Sequence, residues 1–458
     1  MKVLLINPPY KSDFPQPPLG IAYVASALEK SGQQVEILDA PALKLNADEV
    51  VKHVLKGSFD IVGITAMTPT IRSAIEVAKK IKDQEKSIIV ILGGAHATVL
   101  PEKTLEMFPE INFIIVGEGE VTTPELIEKL EKGKSLKDIS GIAYKDNGKI
   151  ILNPRRPVVE NLDELPMPAY HLLPIGKYRP HPPHGKRLPY MALITSRGCP
   201  FRCTFCSKPV HGTKYRAKNA VSIIEEIKFL KDKYGIREIL FYDDSFTIDK
   251  QRIINLCDEM IKNKIDLPWS CETRVNLVDK ELLSKMKKAG CYIISYGVES
   301  GNQEILDNIK KDITIEQIRN AFKLTHEEGI DTVSYFMLGC PGETEQTMKQ
   351  TIDFAKNLNT NFAQFSICTP FPGTELADLV KEEIDWNKLS YVSDSSDRIP
   401  VILSEHLNEE QLKKYYSKAY KEFYLRPSYV AKMIGGIRSI EDVKIMMNGM
   451  KMFLKMLR

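Results

Sequence analysis

Short apolar runs alternate with helical periodicity over about the first 135 residues. Five runs have the length and composition of strands buried on both faces: residues 3–6, 35–39, 61–65, 88–92 and 113–116. Between them, apolar residues recur at every third or fourth position, for example at Ile21, Val24, Ala25 and Leu28. Strands joined by crossover helices predict a doubly wound, Rossmann-like α/β domain over residues 1–135.

A second series of strand–helix units occupies residues 189–400. Helical patterns such as 220–234 and 251–262 separate six apolar runs, which lie at residues 192–196, 238–243, 269–273, 293–297, 333–338 and 362–367. Repeated units of this kind form a parallel sheet, and six units are fewer than the eight of a closed barrel. We therefore predict a second, larger α/β domain.

The remaining segments are a connector and a C-terminal segment. Residues 136–188 contain a predicted hairpin around Asn147-Gly148, followed by a proline-punctuated linker. Residues 401–458 contain a polar, tyrosine-rich helix at 407–422 and then a basic amphipathic helix, with Val443, Met446, Met450, Phe453 and Leu457 at helical spacing. Membrane-surface contact is one interpretation of that last helix. Packing on the second domain or on a partner is the favoured one.

Composition and charge exclude several classes of protein. The chain has 458 residues, of which 43% are hydrophobic and 27% charged, as in an ordinary globular protein. A net charge of +3 gives no reason to propose nucleic acid. The first residues lack the apolar segment of a secretory signal, and no run approaches the ~20 residues that span a bilayer. Eight cysteines do not suggest a disulfide framework here, so we predict a cytoplasmic protein.

Three cysteines lie close together after the first predicted strand of the second domain, at Cys199, Cys203 and Cys206. Soft thiolates suit zinc or an iron–sulfur cluster. A structural zinc site closes with four ligands, and no fourth cysteine or histidine follows at the spacing of a zinc finger. A cluster with one open iron is the favoured interpretation, and a zinc loop or three packed cysteines are the alternatives.

Polar residues follow the later strands of the same domain. In α/β enzymes, the loops at the carboxyl ends of the strands hold the catalytic residues. Asp243, Arg274 and Glu299 end the second, third and fourth strands, and Gly339-Cys340-Pro341 follows the fifth. Carboxylates pair with hydroxyl or ammonium groups, and arginine grips a carboxylate with two hydrogen bonds. These residues are candidates for binding a polar ligand, and ordinary surface ion pairs are the alternative.

The spacing of Cys199, Cys203 and Cys206, with the aromatic Phe205 before the last cysteine, resembles the radical S-adenosylmethionine enzymes. The resemblance implies a partial (β/α)6 barrel whose three thiolates hold a [4Fe–4S] cluster. The open iron would bind S-adenosylmethionine, which reductive cleavage converts to a 5′-deoxyadenosyl radical. It further implies polar contacts to S-adenosylmethionine from Arg274 and Glu299, a cofactor-binding role for Asp243, and contacts to adenine from Phe205 and the Gly339-Cys340-Pro341 segment.

The first domain resembles the cobalamin-binding domains that precede radical S-adenosylmethionine domains. The resemblance rests on several short motifs in the expected order, which supply the candidate cobalamin-binding residues Asn7, Pro8, Leu19, Gly20, Thr65, Gly93, Gly94, His96, Gly117, Glu118, Gly119 and Glu120. The DxHxxG loop of other cobalamin proteins is missing, and a GxGxxG dinucleotide motif is absent after the first strand. We therefore expect cobalamin without a histidine on cobalt, and a hydrogen-bonding role for His96. A domain that has lost its ligand is the alternative.

Together the resemblances imply a cobalamin-dependent radical S-adenosylmethionine enzyme in which methylcobalamin methylates an unactivated carbon. A cyclase or ring-rearranging enzyme without methyl transfer is the first alternative, and a cobalamin- or redox-sensing binding protein is the second. The expected partners are an electron donor such as ferredoxin or flavodoxin, and a substrate that is a small molecule, a lipid or a peptide.

Overall fold

The computed structural model describes residues 1–380 and 401–435. The predicted final helix at 443–457 and the residues 381–400 therefore lie outside the described part of the chain. Two sheets, one in each predicted α/β domain, organise the described residues.

The first sheet has seven strands in the order β2-β1-β3-β4-β5-β6-β7. Its strands are β1 (Lys2–Asn7), β2 (Gln34–Asp39), β3 (Ile61–Thr65), β4 (Ile89–Gly93), β5 (Phe113–Ile115), β6 (Ile142–Asp146) and β7 (Lys149–Leu152). The helices around it are α1 (Leu19–Lys30), α2 (Ala40–Leu43), α3 (Ala47–Gly57), α4 (Ile71–Gln84), α5 (Ala95–Val99), α6 (Pro101–Met107) and α7 (Gly119–Glu131). The five predicted strands pair in parallel, which confirms the doubly wound fold.

The hairpin that we assigned to the connector belongs to this sheet. Strands β6 and β7 form it, and β6 pairs with β5 in the antiparallel direction. Ile142 and Ala143 are buried in the cores on either face of the sheet. Burial of these side chains explains why the hairpin extends the sheet and does not lie in the linker.

The second sheet has six parallel strands in the order β15-β14-β13-β12-β11-β8, which confirms an open, partial barrel. These strands are β8 (Tyr190–Leu193), β11 (Glu238–Phe241), β12 (Trp269–Thr273), β13 (Cys291–Glu299), β14 (Asp331–Leu338) and β15 (Phe362–Ile367), and β9 (Ser196–Arg197) and β10 (Arg216–Ala217) form a separate ribbon. Its helices are α8 (Ala220–Tyr234), α9 (Lys250–Lys262), α10 (Lys280–Lys288), α11 (Gln303–Asn308), α12 (Ile315–Glu327), α13 (Glu345–Asn357), α14 (Glu375–Asp378), α15 (Glu409–Tyr424) and α16 (Pro427–Gly435).

The predicted first strand of this sheet, 192–196, is displaced. The observed strand β8 ends at Leu193, because the hydroxyl groups of Thr195 and Ser196 turn to the carboxylate of Asp243 at 2.6 and 2.8 Å. Ser196 and Arg197 then pair with β10 in the small ribbon. The cysteine loop therefore follows the ribbon strand β9, and not a strand of the main sheet as the sequence pattern indicates.

Candidate active site between the two sheets

The cysteine loop follows the ribbon strand β9 and is held by two adjacent aspartates. Asp243 also accepts a hydrogen bond from the Thr195 amide at 2.6 Å, and Asp244 accepts one from the Gly198 amide at 3.1 Å. Gly198 has a φ of +83°, and a Cβ there would lie 2.2 Å from the Lys214 carbonyl oxygen, so only glycine fits this turn. The carboxylate of Asp243 thus supports the loop, and its oxygen atoms bond to backbone and hydroxyl groups of that loop.

The three cysteines are free thiols on this loop. Cys199 is buried, Cys203 is half-buried and Cys206 is exposed. Protein atoms packed around the sulfur raise the pKa of Cys206 to about 11, although the residue as a whole is exposed, and the thiols of Cys199 and Cys203 add to that shift. Ligation of a metal would stabilise such thiols as thiolates.

This donor set fits a [4Fe–4S] cluster. Within residues 1–380 and 401–435, no set of three or more His, Cys, Asp or Glu side chains is placed to hold a metal ion. A cluster takes one thiolate on each of three irons, so its ligands stand farther apart than those of a single ion. The three free thiols of this loop supply the number and kind of ligand that such a cluster takes from a protein.

Arg274 lies directly beside the cysteine loop. Its guanidinium stacks on the Phe201 ring, 3.8 Å from the centroid, and its Nη1 lies 3.4 Å from the Cys203 sulfur. A second nitrogen donates to the backbone carbonyl of Lys311. The structure therefore brings this predicted residue next to the predicted cluster ligands.

Glu299 lies on the neighbouring strand and forms a buried ion pair that the sequence analysis missed. Its carboxylate lies 2.6 Å from the Nζ of Lys311, and both side chains are buried. Glu299 has a φ of +68°, and a Cβ at Gly297 would lie 2.5 Å from the Glu299 Oε1. Lys311 follows a short helix in a lysine pair, and nothing in that pattern distinguishes it from a solvated surface lysine.

The turn after β14 completes this part of the site. Gly339 has a φ of +84°, and the Glu343 carboxylate accepts hydrogen bonds from the amides of Gly339 and Cys340 at 2.5 and 3.0 Å. Burial raises the pKa of Glu343 to about 7. Cys340 packs in the apolar cluster that Phe205 borders, so the two predicted adenine contacts lie together.

A cavity of about 400 Å³ joins the two domains. Eight of the predicted cobalamin-binding residues line it: Gly20, Thr65, Gly93, Gly94, Gly117, Glu118, Gly119 and Glu120. The second domain contributes Ile194, Arg197, Asp244 and the segment 207–212 that follows the cysteines. Apolar residues of β1, β3, β4 and β5, such as Leu5 and Ile91, also line the cavity. Glycines beside an apolar wall suit a large flat ligand such as cobalamin.

Four predicted residues do not line the cavity. Asn7 donates to Asp39 at 2.9 Å, Leu19 packs in the larger core, and Pro8 is absent from the cavity wall. His96 is buried, its Nδ1 lies 3.2 Å from the Thr68 hydroxyl oxygen, and burial lowers its pKa to about 4. The contact with Thr68 agrees with the hydrogen-bonding role that we predicted for His96.

Charged residues at the cavity edge join the domains. Glu118 lies 2.9 Å from Arg216, 3.0 Å from His211 and 3.3 Å from Arg197, and Glu120 lies 2.6 Å from Arg197. Burial alone would raise the pKa of Glu118, but His211, Arg216 and Arg197 hold it well below its usual range. We call these five residues the interdomain ionic cluster. Sequence analysis assigned its two glutamates to cobalamin and did not identify their basic partners.

Comparison with known proteins fits this geometry. The family model of the B12 binding domain matches residues 10–127, and that of the radical SAM superfamily matches residues 193–355. An uncharacterized methyltransferase of Pyrococcus horikoshii is 38% identical over 446 residues, which cover 95% of each chain. The chain belongs to the cobalamin-dependent radical S-adenosylmethionine methyltransferase family. Its cofactors are therefore a [4Fe–4S] cluster, S-adenosylmethionine and cobalamin.

Other similar proteins differ in their reactions or share only the fold. An anaerobic magnesium-protoporphyrin IX monomethyl ester cyclase of Rubrivivax gelatinosus is 31% identical, over 99% of this chain and 82% of that protein. The radical S-adenosylmethionine methyltransferase TsrM of Kitasatospora setae, solved with cobalamin and a [4Fe–4S] cluster, has a TM-score of 0.69 at 22% identity, over 82% of this chain and 76% of that one. Apo OxsB, a cobalamin-dependent radical enzyme, has a TM-score of 0.73 at 20% identity, over 97% and 70% of the two chains.

Over the part of the chain that the structure describes, every helix is too short or too polar to span a bilayer.

Proposed function

We propose that this enzyme methylates an unactivated carbon atom of its substrate. The observation that carries the proposal is the cavity shared by both domains, which runs from the glycine loops of the first sheet to the segment after the cysteines. When bound, the cluster and S-adenosylmethionine supply a hydrogen-abstracting radical, and methylcobalamin supplies the methyl group. A cavity lined by both domains supports this proposal, because one substrate there could be reached from the residues of each domain.

The protein's own residues position these groups. Arg274, beside the cysteine loop, presents a planar cation to the carboxylate end of S-adenosylmethionine. Lys311 and Glu299 offer opposite charges to the same zwitterion. Phe205 and Cys340 border an apolar cluster that suits a flat adenine ring. The interdomain ionic cluster fixes the distance between the first sheet and the cysteine loop.

A substitution inside the cavity tests the proposal. Gly94 is unsuitable, because its φ is +93° and a Cβ would lie 2.7 Å from the Ala66 carbonyl oxygen. Gly20 lines the same cavity, and a Cβ there meets no atom within 4 Å. Gly20→Trp is therefore expected to obstruct cobalamin binding without disturbing the backbone. Gly176→Trp, at an exposed glycine with equally open space, is the matched control.

The assay uses methyl-deuterated S-adenosylmethionine and the small-molecule extract of cells that lack the protein. The wild type and Gly176→Trp should add a trideuteromethyl group to one carbon of an extract component and release 5′-deoxyadenosine. Gly20→Trp should still release some 5′-deoxyadenosine but form no methylated product. Label on oxygen or nitrogen, or unchanged methylation by a Gly20→Trp protein shown to lack cobalamin, would contradict the proposal.

A cyclase reaction is the second candidate, and the relative from Rubrivivax gelatinosus supports it, at 31% identity over 99% of this chain. The mass of the product separates the two candidates. Carbon methylation adds one CH₂ to the substrate, whereas cyclisation adds no carbon.

We further propose that a reduced ferredoxin or flavodoxin supplies the electron. The exposed position of Cys206 supports this, because it brings one predicted cluster ligand to the protein surface. Reduction of the reconstituted cluster by flavodoxin, followed by 5′-deoxyadenosine release, is the expected result.

A further inference from the structure

The inner face of the partial barrel is polar and open, in contrast to its outer face. Outward side chains such as Cys271, Tyr296, Phe336 and Phe365 are buried in the main core under the helices. The inward residues near the carboxyl ends of β12, β14 and β15 retain solvent access: Glu272, Tyr335, Gln364 and Ser366. Strand pairing places Tyr335 beside Gln364, and Glu272 beside Ser295. These residues therefore form one continuous polar surface inside the barrel.

This surface lies one layer below the residues that we assign to S-adenosylmethionine. Glu272 lies in β12, and Arg274 follows the end of that strand with an extended backbone, so the two side chains leave the chain on the same face about 7 Å apart. Tyr335 pairs with Gly297, which lies two residues before Glu299 on the neighbouring strand. The polar surface is therefore separate from the Arg274, Glu299 and Lys311 layer but adjoins it.

Glu272 is a half-buried carboxylate without a cationic partner. It accepts a hydrogen bond from the Tyr335 hydroxyl at 2.9 Å, and burial raises its pKa above the usual range. No Lys, Arg or His of the described residues forms an ion pair with it. By contrast, three other carboxylates of the site, Glu118, Glu120 and Glu299, each face a basic group. A desolvated carboxylate of this kind is stabilised when a cation reaches it.

A second tyrosine lies beside the same carboxylate. Phe241 of β11 pairs with Cys271 of β12, so the residues that follow them, Tyr242 and Glu272, lie next to each other. Tyr242 is 38% exposed, which leaves its ring open to a ligand. Tyrosine rings provide apolar walls, and they also attract a cation through their faces.

We propose that the Glu272, Tyr335 and Tyr242 surface is the substrate subsite, and that it binds a positively charged nitrogen group of the substrate. The ammonium, amidinium or guanidinium group donates to Glu272, and the tyrosines enclose the carbon chain next to it. The subsite adjoins Arg274, Glu299 and Lys311, so a substrate bound there would lie next to the residues that we assign to S-adenosylmethionine. This assignment rests on the proposed function, because only a substrate needs a site at that position.

A binding measurement tests the proposal without a known substrate. The probes are benzylamine and its neutral analogue benzyl alcohol, titrated by ligand-observed NMR into the full-length enzyme reconstituted with cluster, cobalamin and S-adenosylmethionine. A charge-assisted hydrogen bond predicts that the amine binds about tenfold more tightly than the alcohol. Glu272→Gln should reduce this preference to about twofold or less, since the amide cannot pair with a cation. Glu304→Gln, at an exposed glutamate on α11, should leave it unchanged.

Tyr335→Phe provides a second variant, because it removes the one side-chain donor to Glu272 among the described residues and keeps the charge. It should retain the amine preference. Equal affinity for the two probes in the wild type, absence of saturable amine binding, or a preserved preference in Glu272→Gln would overturn the proposal.

The ammonium group of S-adenosylmethionine is the other possible source of the cation, and a separate titration distinguishes it. The affinity for S-adenosylmethionine should change by less than about twofold in Glu272→Gln. A loss of about tenfold or more would assign the carboxylate to the cofactor and overturn the substrate subsite. These binding measurements are independent of the methylation assay, because no substrate is converted in them. A negative result in the methylation assay would therefore not change their outcome.

Discussion

At the scale of single residues, buried polar groups in this enzyme hold backbone turns. Asp243 shows this for the cysteine loop, and Glu343 shows it for the turn after β14. Both were recognisable from the sequence only as polar residues at strand ends. Which group a carboxylate bonds to depends on the path of the next loop, and strand periodicity carries no information about that path.

The first prediction concerns the cysteines. Replacing Cys199, Cys203 or Cys206 by alanine should abolish the [4Fe–4S] cluster, because each iron that loses its thiolate exposes the cluster to solvent. Iron and sulfide analysis and electron paramagnetic resonance after anaerobic reconstitution provide the measurement. Cys257→Ala, at a buried cysteine of α9, is the control and should keep the cluster. A full complement of iron in any of the three variants would show that the ligands are misassigned.

The second prediction concerns Glu343, whose pKa burial raises to about 7. The unfolded chain has a pKa of about 4.3 for glutamate. The folded protein therefore holds this proton more tightly, and its stability falls as the pH rises from about 4.5 to about 7. Glu343→Gln cannot ionise, so it should gain stability relative to the wild type over that range, on the order of 2 kcal/mol.

Urea unfolding of the cofactor-free protein at about pH 5 and about pH 8 measures this difference. Glu316→Gln, at an exposed position of α12, should show no such dependence. A constant difference between Glu343→Gln and the wild type at both pH values would mean that Glu343 is ionised throughout.

At the scale of elements, helix α15 covers the free edge of the partial barrel. The Tyr420 hydroxyl accepts from the Phe365 amide at 3.1 Å and donates to its carbonyl at 2.8 Å. Tyr424 makes the same pair of contacts with Ala363, at 3.1 and 2.7 Å. An open sheet exposes unpaired backbone groups at its edge strand. The two tyrosines supply hydrogen-bond partners for those backbone groups. The predicted tyrosine-rich helix is therefore confirmed, and it serves to cover the edge strand β15.

The third prediction follows from that edge. Tyr420→Phe leaves the Phe365 backbone groups buried without their partner and should destabilise the protein by about 1–3 kcal/mol. Tyr234→Phe is the matched control, because the Tyr234 hydroxyl is buried without a hydrogen-bond partner among the described residues, and its loss should cost nothing measurable. Urea unfolding followed by circular dichroism gives both values. Equal stability of the two variants would show that α15 does not satisfy the strand edge.

At the scale of the whole molecule, the two domains share one cavity and one interdomain ionic cluster. Arg197 comes from the cysteine-loop side and contacts both glutamates of the first domain. Its ring contact with Tyr23, 4.9 Å from the centroid, adds a second link to helix α1. Buried charges therefore join the two domains, in addition to the apolar contacts of Leu19 and Ala22 in the larger core. Buried charges are strongly coupled when one partner is lost.

The fourth prediction tests this coupling. Arg197→Met leaves Glu118 and Glu120 with fewer cationic partners, so the domains should unfold in two separate steps by differential scanning calorimetry. The same variant should bind cobalamin more weakly. Arg237→Met, at an exposed arginine between α8 and β11, should unfold as the wild type does. A single unchanged transition in Arg197→Met would show that the ionic cluster does not link the domains.

The sequence by itself determined the two α/β domains, the cysteine loop and the glycine loops of the cavity. These features could be predicted because each leaves a pattern in a short stretch of sequence: buried strands leave runs of apolar residues, and metal-binding loops leave cysteines at fixed spacing. Only the tertiary structure decided that the hairpin joins the first sheet, that Lys311 faces Glu299, that His96 lies off the cavity, and that Glu118 and Glu120 bind arginines of the second domain. These contacts join residues far apart in the chain. Their partners are set by how layers pack, and packing depends on shape and charge across the fold.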